Sequence, residues 1–149
     1  EPLIRSAVPE GALRSETGAR MEELTERLKK LLKGVSYTGE ATQRTRDHIL
    51  SLGERMAAHL MSGVLNGLGV EAKAVESDAI GLVAHGPFGQ GTVDIARSRK
   101  PVSKALHALF HEGVLPCVTG FFGETEDAPD ATVATRKTAL AVRSLGIFR

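Results

Sequence analysis

Apolar residues recur at helical intervals early in the chain. The positions that share this pattern are Met21, Leu24, Leu28, Leu31, Leu32 and Val35. Spacings of three and four residues bring them to one side of an α-helix, which we predict from Met21 to Gly34 with this side facing a core. Residues 1–20 hold prolines and glycines without a sustained period, which predicts an irregular N-terminal lead-in from Glu1 to Arg20.

A second apolar face follows a turn at residues 37–40. It comprises Ile49, Leu50, Met56, Leu60, Met61, Val64, Leu65 and Leu68. This face predicts a helix that Thr42 or Thr45 caps by accepting backbone N–H groups and that ends within residues 66–69. Gly53 lies inside the face, and a glycine in a helix costs about 1 kcal/mol relative to alanine. We therefore expect either a break between two helices or a closely packed backbone at Gly53.

The middle of the chain changes to short strand-like runs. Val70 to Val75 alternates apolar and polar residues, which predicts a half-buried strand, and residues 79–84 and 92–95 predict two more. The glycine-rich run at residues 86–91 predicts a loop between them. These runs indicate a sheet rather than a further helix bundle.

Helical and strand patterns alternate in the last third of the chain. Pro101 opens a helical pattern that ends near Gly113, and residues 114–119 form an apolar strand that leads into Gly120. Residues 124–130 are acidic and turn-rich, which predicts a surface loop, and residues 134–145 predict a final helix. This order, with glycine at the strand ends, favours an α/β fold in which helices cover a sheet.

Composition limits the class of protein and its partners. A chain of 149 residues has room for one domain with a core, and its 42% hydrophobic and 25% charged residues are typical of globular proteins. We expect no membrane partner and a cytoplasmic location, since no run approaches about 20 apolar residues and no signal-peptide pattern opens the sequence. The single cysteine agrees with a reducing compartment. A net charge of +1 argues against nucleic acid as the main partner.

The common signals for metals and nucleophiles have simpler structural explanations. His107 and His111 share a helix face but have no evident third ligand, so a solvated face is favoured over a zinc site. Cys117 lies in the apolar strand, which favours a packed thiol over a nucleophile. The glycines of residues 86–91 are not followed by a phosphate-loop lysine, which favours a flexible loop. We therefore predict no metal site and assign no catalytic residue.

Glu54 is a stronger candidate for a binding residue. An isolated acid near a helix start is explained by the helix dipole, but an acid in a cleft can hold a substrate amine through a charge-assisted hydrogen bond. Its surroundings favour the second interpretation. The run Thr45-Arg-Asp-His-Ile-Leu-Ser-Leu-Gly-Glu-Arg-Met resembles the aspartate kinase segment of form (S/T)-R-D-x-I-L-S-x-G-E-R, in the amino-acid kinase family.

The resemblance continues in order from about Met21 to Val133. Its further motifs are Leu68-Gly-Val-Glu-Ala, Asp78-Ala-Ile-Gly, Phe88-Gly, Glu112-Gly-Val-Leu-Pro and Thr119-Gly-Phe-Phe-Gly. It implies a three-layer α-β-α fold with a mainly parallel sheet. It also implies ATP and Mg²⁺ as cofactors and transfer of the γ-phosphate of ATP to the side-chain carboxylate of L-aspartate. The resemblance is compatible with a homo-oligomer.

The resemblance also implies site residues. Glu54 would hold the α-ammonium group of aspartate, and Ser51 and Gly53 would shape the same wall. Arg136 would take the place of the arginine that grips the substrate carboxylate. The cleft-lining residues at the end of a parallel strand would be Gly120, Phe121 and Gly123.

Two family motifs do not match this sequence. Residues 1–20 lack the opening Lys-Phe-Gly-Gly-Thr-Ser, and Thr132-Val-Ala-Thr-Arg-Lys-Thr-Ala139 stands where the family has Thr-Leu-Gly-Arg-Gly-Gly-Ser-Asp. We therefore expect residues 21–149 to be a partial amino-acid kinase catalytic domain, with an incomplete fold. The alternatives are a catalytically degenerate kinase-like module that binds an amino acid or a partner, and an unrelated α/β scaffold.

Overall fold

The first helix is longer than the sequence pattern predicts. The computed structural model describes residue 8, residues 10–125 and residues 132–134, and its first helix, α1, spans Ala12–Thr38. The prediction of an irregular lead-in up to Arg20 is therefore wrong from residue 12 onward. Long-range contacts explain the extra turns, since Thr17 is buried against Gly63 and Arg20 pairs with Glu76 at 2.7 Å.

The end of α1 is also set differently from the prediction. Gly34 is exposed inside the helix and does not stop it. The helix ends instead at Gly39, whose φ of 70° is left-handed and whose N–H donates to the carbonyl of Val35. A glycine at this position accepts the left-handed conformation without steric cost, and it satisfies a free carbonyl of the last turn.

The second helix, α2, spans Gln43–Gly67 and begins and ends as predicted. Of the two candidate caps, Thr42 is used, because its side-chain oxygen accepts the N–H of Thr45 at 3.1 Å. Gly53 is exposed in an unbroken helix, and apart from its own helical turn no atom of the described residues lies within 4 Å of the position that a Cβ would occupy there. Both alternatives predicted for Gly53 are therefore wrong.

Two small sheets contain the six strands of the described residues. In the first sheet β1 (Ala72–Val75) pairs in parallel with β4 (Leu115–Val118). The second sheet has the order β3-β2-β5-β6, formed by Thr92–Val93, Val83–His85, Phe122–Thr125 and Thr132–Ala134. Its central pair β2–β5 is parallel, and the edge strands β3 and β6 pair antiparallel.

The third helix, α3, spans Ile95–His111 and contains Pro101 in its interior. The prediction that Pro101 starts this helix is therefore wrong. Asp94 caps the true start by accepting the N–H of Arg97 at 3.0 Å. An interior proline costs about 3 kcal/mol in an isolated helix, but the same helix buries Val102 and Leu106, which compensates.

Helices α2 and α3 each pack against strands of both sheets. Helix α2 packs against β1, β4 and β6, whereas α3 packs against β2 and β4. The main apolar cluster joins β1 to α3 and consists of Val75, Leu82, Val102 and Leu106. The predicted α/β class is confirmed, and the parallel pairs β1–β4 and β2–β5 form its centre.

The predictions for the end of the chain fall mostly outside the described residues. Glu124 belongs to β5 and Ala134 to β6, so the predicted loop starts later than residue 124 and the predicted helix does not start at 134. Of residues 126–145, the structure describes only 132–134, so the remainder of both predicted segments lies outside the described residues. Across the described part of the chain, no helix has the length and apolar character needed to cross a membrane.

Candidate functional site

A cleft of about 300 Å³ opens between α2 and the bend that follows β4. Its lining residues are Asp47, Leu50, Ser51, Glu54, Phe121, Phe122 and Ala134. The four residues from α2 are spaced by three, one and three positions, which places them on one face of the helix. In an open α/β sheet, ligands bind beyond the carboxyl ends of the strands, and β4 ends at this cleft.

Glu54 lies in the cleft and contacts the bend directly. Its Oε2 accepts the backbone N–H of Gly120 at 3.1 Å, and a Cβ added to Gly120 would lie 3.1 Å from the same oxygen. The absence of a side chain at Gly120 therefore permits this close approach. An ionised carboxylate offers about four acceptor sites, so one backbone donor leaves Glu54 able to accept from a ligand.

Ser51 lies in the cleft wall, but Gly53 does not. Ser51 is 2% exposed, and its hydroxyl donates to the carbonyl of His48 at 2.8 Å. Gly53 is exposed and is not among the residues that line the cleft. Of the predicted wall, the structure brings Ser51 and Glu54 to the cleft and leaves Gly53 outside its lining.

The bend after β4 has an unusual backbone conformation. Phe121 has a φ of 59°, and it is the only non-glycine residue with positive φ in the described part of the chain. A bulky residue in this region costs of order 1–3 kcal/mol and persists only where its surroundings enforce it. Phe121 is 59% exposed and lines the cleft. Such strain often accompanies a functional site.

Gly123 serves the sheet and not the cleft. A Cβ at this position would lie 2.8 Å from the carbonyl oxygen of Leu82, which accepts the N–H of Glu124 at 2.9 Å. Gly123 is buried and lies outside the cleft lining, whereas Phe121, predicted with it, lines the cleft. Only a glycine lets β5 approach the backbone next to β2 this closely.

Asp47 is a site residue that the sequence analysis missed. It is 1% exposed, and its Oδ2 accepts the N–H groups of Gly89 at 2.7 Å and Ala134 at 3.0 Å. This carboxylate therefore joins α2 to the loop at residue 89 and to β6. The signal was available, since Asp47 lies seven positions before Glu54, on the same helix face.

Arg55 is a second missed residue and supports the bend from behind. Its guanidinium pairs with the carboxylates of Glu76 and Asp78 and lies 4.8 Å from the ring centroid of Phe122. Arg55 is 8% exposed, so these contacts lie largely out of water. Glu76 also pairs with Arg20, which connects this charged group to α1.

The remaining candidates are not among the residues that line the cleft. His107 is exposed and its Nδ1 lies 3.1 Å from the hydroxyl of Ser103, and His111 is exposed too. Burial raises the pKa of Cys117, which disfavours a reactive thiolate. No group of three or more potential metal ligands occurs among residues 8, 10–125 and 132–134. Arg136 lies outside the described residues, two positions after Ala134.

These features define an α/β domain with an acidic cleft near the carboxyl end of its parallel strands. The chain belongs to the amino acid kinase family, whose sequence pattern it matches over residues 7–142. It is 31% identical over 136 residues to aspartokinase 1, chloroplastic, from Arabidopsis thaliana. The aligned part covers 83% of this chain and 24% of that relative. It is also 33% identical over 141 residues to aspartokinase 2, chloroplastic, from the same organism. This second alignment covers 87% of this chain and 26% of that relative.

The solved structures support the same fold. The crystal structure of E. coli aspartokinase III in complex with aspartate and ADP matches 96% of this chain and 31% of its own, with a TM-score of 0.77 and 21% identity. The same enzyme in complex with lysine and aspartate matches with a TM-score of 0.62. The resemblance to aspartate kinases is thus confirmed, and the chain spans about a quarter of the length of the curated relatives it matches.

Proposed function

We propose that this chain is part of the catalytic domain of an aspartate kinase. A side-chain carboxylate oxygen of L-aspartate would attack the γ-phosphorus of ATP, and the bond from that phosphorus to the ADP oxygen would break. The products are 4-phospho-L-aspartate and ADP. Such a reaction needs no protein nucleophile, because the substrate supplies it, so the protein contributes position and charge.

The observation that carries this proposal is the carboxylate of Glu54 in the cleft. Two acids, Asp47 and Glu54, line the cleft, and no lysine or arginine is among its lining residues within the described part of the chain. Asp47 is occupied by two backbone donors, whereas Glu54 has one. Glu54 is therefore the group best able to hold the ammonium end of an amino acid.

The carboxylates of the substrate need a cation, and we assign that role to Arg136. Ala134 lines the cleft, and Arg136 follows it by two positions in the sequence. An arginine holds a carboxylate with two parallel N–H donors, which fixes orientation as well as charge. Ser51 and the Gly120–Phe121 bend would complete the aspartate-binding wall.

ATP and Mg²⁺ belong to the proposal through family membership. The aspartokinase III structure named above holds ADP and aspartate, which supports a nucleotide donor for this chain as well. Mg²⁺ is usually held by one or two carboxylates together with substrate phosphates, and we assign no described residue to it. A cytoplasmic location also belongs to the proposal, on the sequence arguments given above.

The test measures phosphoryl transfer by the complete protein that contains this sequence. ADP formation is followed with ATP and Mg²⁺, with and without L-aspartate, and with D-aspartate and L-glutamate as controls. We expect turnover that depends on L-aspartate. The proposal fails if the folded protein releases no ADP with L-aspartate. Heat of L-aspartate binding without turnover would support the degenerate amino-acid-binding module instead.

A further inference from the structure

We propose that the hydroxyl groups of Ser77 and Thr119 position the strained Phe121 bend so that Gly120 contacts Glu54. Neither hydroxyl touches the cleft, and both lie in the support behind it. The kinetic part of this inference rests on the proposed function. Its structural part does not.

Ser77 and Thr119 join the carboxyl ends of two parallel strands. Ser77 follows β1 by two positions and Thr119 follows β4 directly. The N–H of Ser77 donates to Oγ1 of Thr119 at 2.9 Å, and the two hydroxyl oxygens lie 3.1 Å apart. The side chains are 1% and 2% exposed, so water does not compete for these hydrogen bonds.

The direction of these hydrogen bonds follows from counting protons. Thr119 donates its hydroxyl proton to the hydroxyl oxygen of Ser77. The proton of Ser77 is then directed to the carbonyl of Phe122, at 2.9 Å. A chain of this kind leaves one orientation for each hydroxyl, and each bond polarises the next. Phe122 therefore has its carbonyl fixed by a buried donor.

The two residues that flank Phe121 are thereby anchored, each through one backbone group. On one side the N–H of Gly120 donates to Glu54 at 3.1 Å, and on the other the carbonyl of Phe122 accepts from Ser77. Phe121 lies between the two anchors with its φ of 59°. A cost of order 1–3 kcal/mol in backbone strain requires such anchors, and the side chain of Phe121 is itself 59% exposed.

The consequence for the cleft is geometric. If the Phe122 carbonyl is released, Phe121 relaxes toward negative φ and the Gly120 N–H turns away from Glu54. The carboxylate then loses the donor that fixes its direction in the cleft. Ser77 and Thr119 are therefore positioning residues for amino-acid binding, although no ligand touches them.

The experiment compares Thr119→Val with Thr119→Ser in the complete protein. Valine keeps the shape and removes the hydroxyl, whereas serine keeps the hydroxyl. With glycine-specific ¹⁵N labelling, the Gly120 amide proton is expected to move upfield in Thr119→Val, in the same direction as we expect for Glu54→Gln, which weakens the acceptor. Thr119→Ser should leave it near the wild-type position.

The kinetic arm measures KM for L-aspartate and for ATP separately. Thr119→Val is expected to raise KM for L-aspartate about tenfold and to change KM for ATP less than about twofold. Thr119→Ser should restore the wild-type KM for L-aspartate. If Thr119→Val does not fold, Ser77→Ala replaces it, because this change removes the donor to Phe122 and the acceptor of the Thr119 hydroxyl but keeps the backbone bond to Thr119.

Two results would overturn the inference. One is a Gly120 resonance that stays at the wild-type position in the hydroxyl-free variant. The other is an equal change in the valine and serine variants, which would mean that Thr119 only fills space. Absence of any aspartate turnover would contradict the proposed function alone, because the Gly120 resonance reports the bend without substrate.

Discussion

The carboxylate of Glu54 accepts the backbone N–H of Gly120 at 3.1 Å, across 66 positions of sequence. This contact joins the middle of α2 to the bend after β4, beside the cleft. The acid is therefore oriented before any ligand arrives. A preoriented carboxylate loses less conformational freedom on binding an ammonium group.

Glu54→Gln tests the role of charge in the cleft. Glutamine can still accept the Gly120 N–H through its amide oxygen, but it cannot pair with an ammonium group. We expect KM for L-aspartate to rise by about tenfold to a hundredfold, since hydrogen bonds to charged groups contribute roughly 1.5–3 kcal/mol. Steady-state kinetics measure this change.

The control is Glu112→Gln, at an exposed acid after α3. It should leave KM unchanged, and both variants should unfold at the same denaturant concentration as the wild type. An equal KM for L-aspartate in Glu54→Gln and in the wild type would contradict the assigned role.

Asp47→Asn tests the buried tether between α2, Gly89 and β6. Asparagine keeps one acceptor oxygen but also carries an NH₂ group that cannot accept from the backbone donors. We expect the free energy of unfolding to fall by about 1–3 kcal/mol, because buried donors lose a charged acceptor. Urea unfolding measures it. Glu124→Gln, at an exposed residue of β5, is the matched control, and an equal effect of both changes would refute the tether.

Gly123→Ala and Gly53→Ala should have opposite effects on stability. At Gly123 the new Cβ would lie 2.8 Å from the backbone oxygen of Leu82, so β5 must move and the protein is destabilised by about 1–3 kcal/mol. At Gly53 the new Cβ meets nothing within 4 Å, in an exposed helix interior, so stability should rise by about 0.5–1 kcal/mol. Thermal unfolding of both variants checks the pair, and a shared sign would contradict the geometry.

The N-cap residue Asp94 should stabilise α3, the helix that contains Pro101. Asp94 accepts the N–H of Arg97, so Asp94→Ala should lower the free energy of unfolding by about 1 kcal/mol. Asp94→Asn keeps a capping oxygen and should lower it by only a few tenths. Chemical denaturation distinguishes the two. Equal losses would mean that charge, rather than the cap, stabilises this end.

Stability should fall below neutral pH because of His59. Burial lowers the pKa of His59 below its ordinary 6.5, and the charges of Arg20 and Arg55 act in the same direction. The Nε2 atom of His59 accepts from Arg20 at 3.3 Å, which requires the neutral ring. The unfolded chain therefore binds a proton more readily than the folded one, and stability is full above pH 6.5 and declines as the pH falls below it.

The measurement is urea unfolding at about pH 7.5 and about pH 5.5 in the wild type and in His59→Gln. The variant should lose less stability between the two values, because glutamine does not titrate. Burial also lowers the pKa of His48, so a smaller decline should persist in the variant. An identical decline in both proteins would contradict the assignment to His59.

The sequence predicted the kinds of elements more reliably than their limits. The apolar period located α2, and Thr42 fixed its start, because a cap acts within a few residues. The starts of α1 and α3 were placed too late. The burial of Thr17 and the ion pair of Arg20 extend α1, and Asp94 with the packing of Val102 extends α3 across a proline.

The sequence by itself determined the α/β class and the family resemblance, and it selected Glu54 as a candidate binding residue, since motif order and helical spacing are local properties of the chain. Only the tertiary structure showed what Asp47, Arg55 and the Ser77–Thr119 pair do. The two backbone groups that Asp47 binds lie 42 and 87 positions away in the sequence. Ser77 and Thr119 are themselves 42 positions apart. Which distant backbone group meets a side chain is decided by how the strands and helices pack, and no local pattern records it.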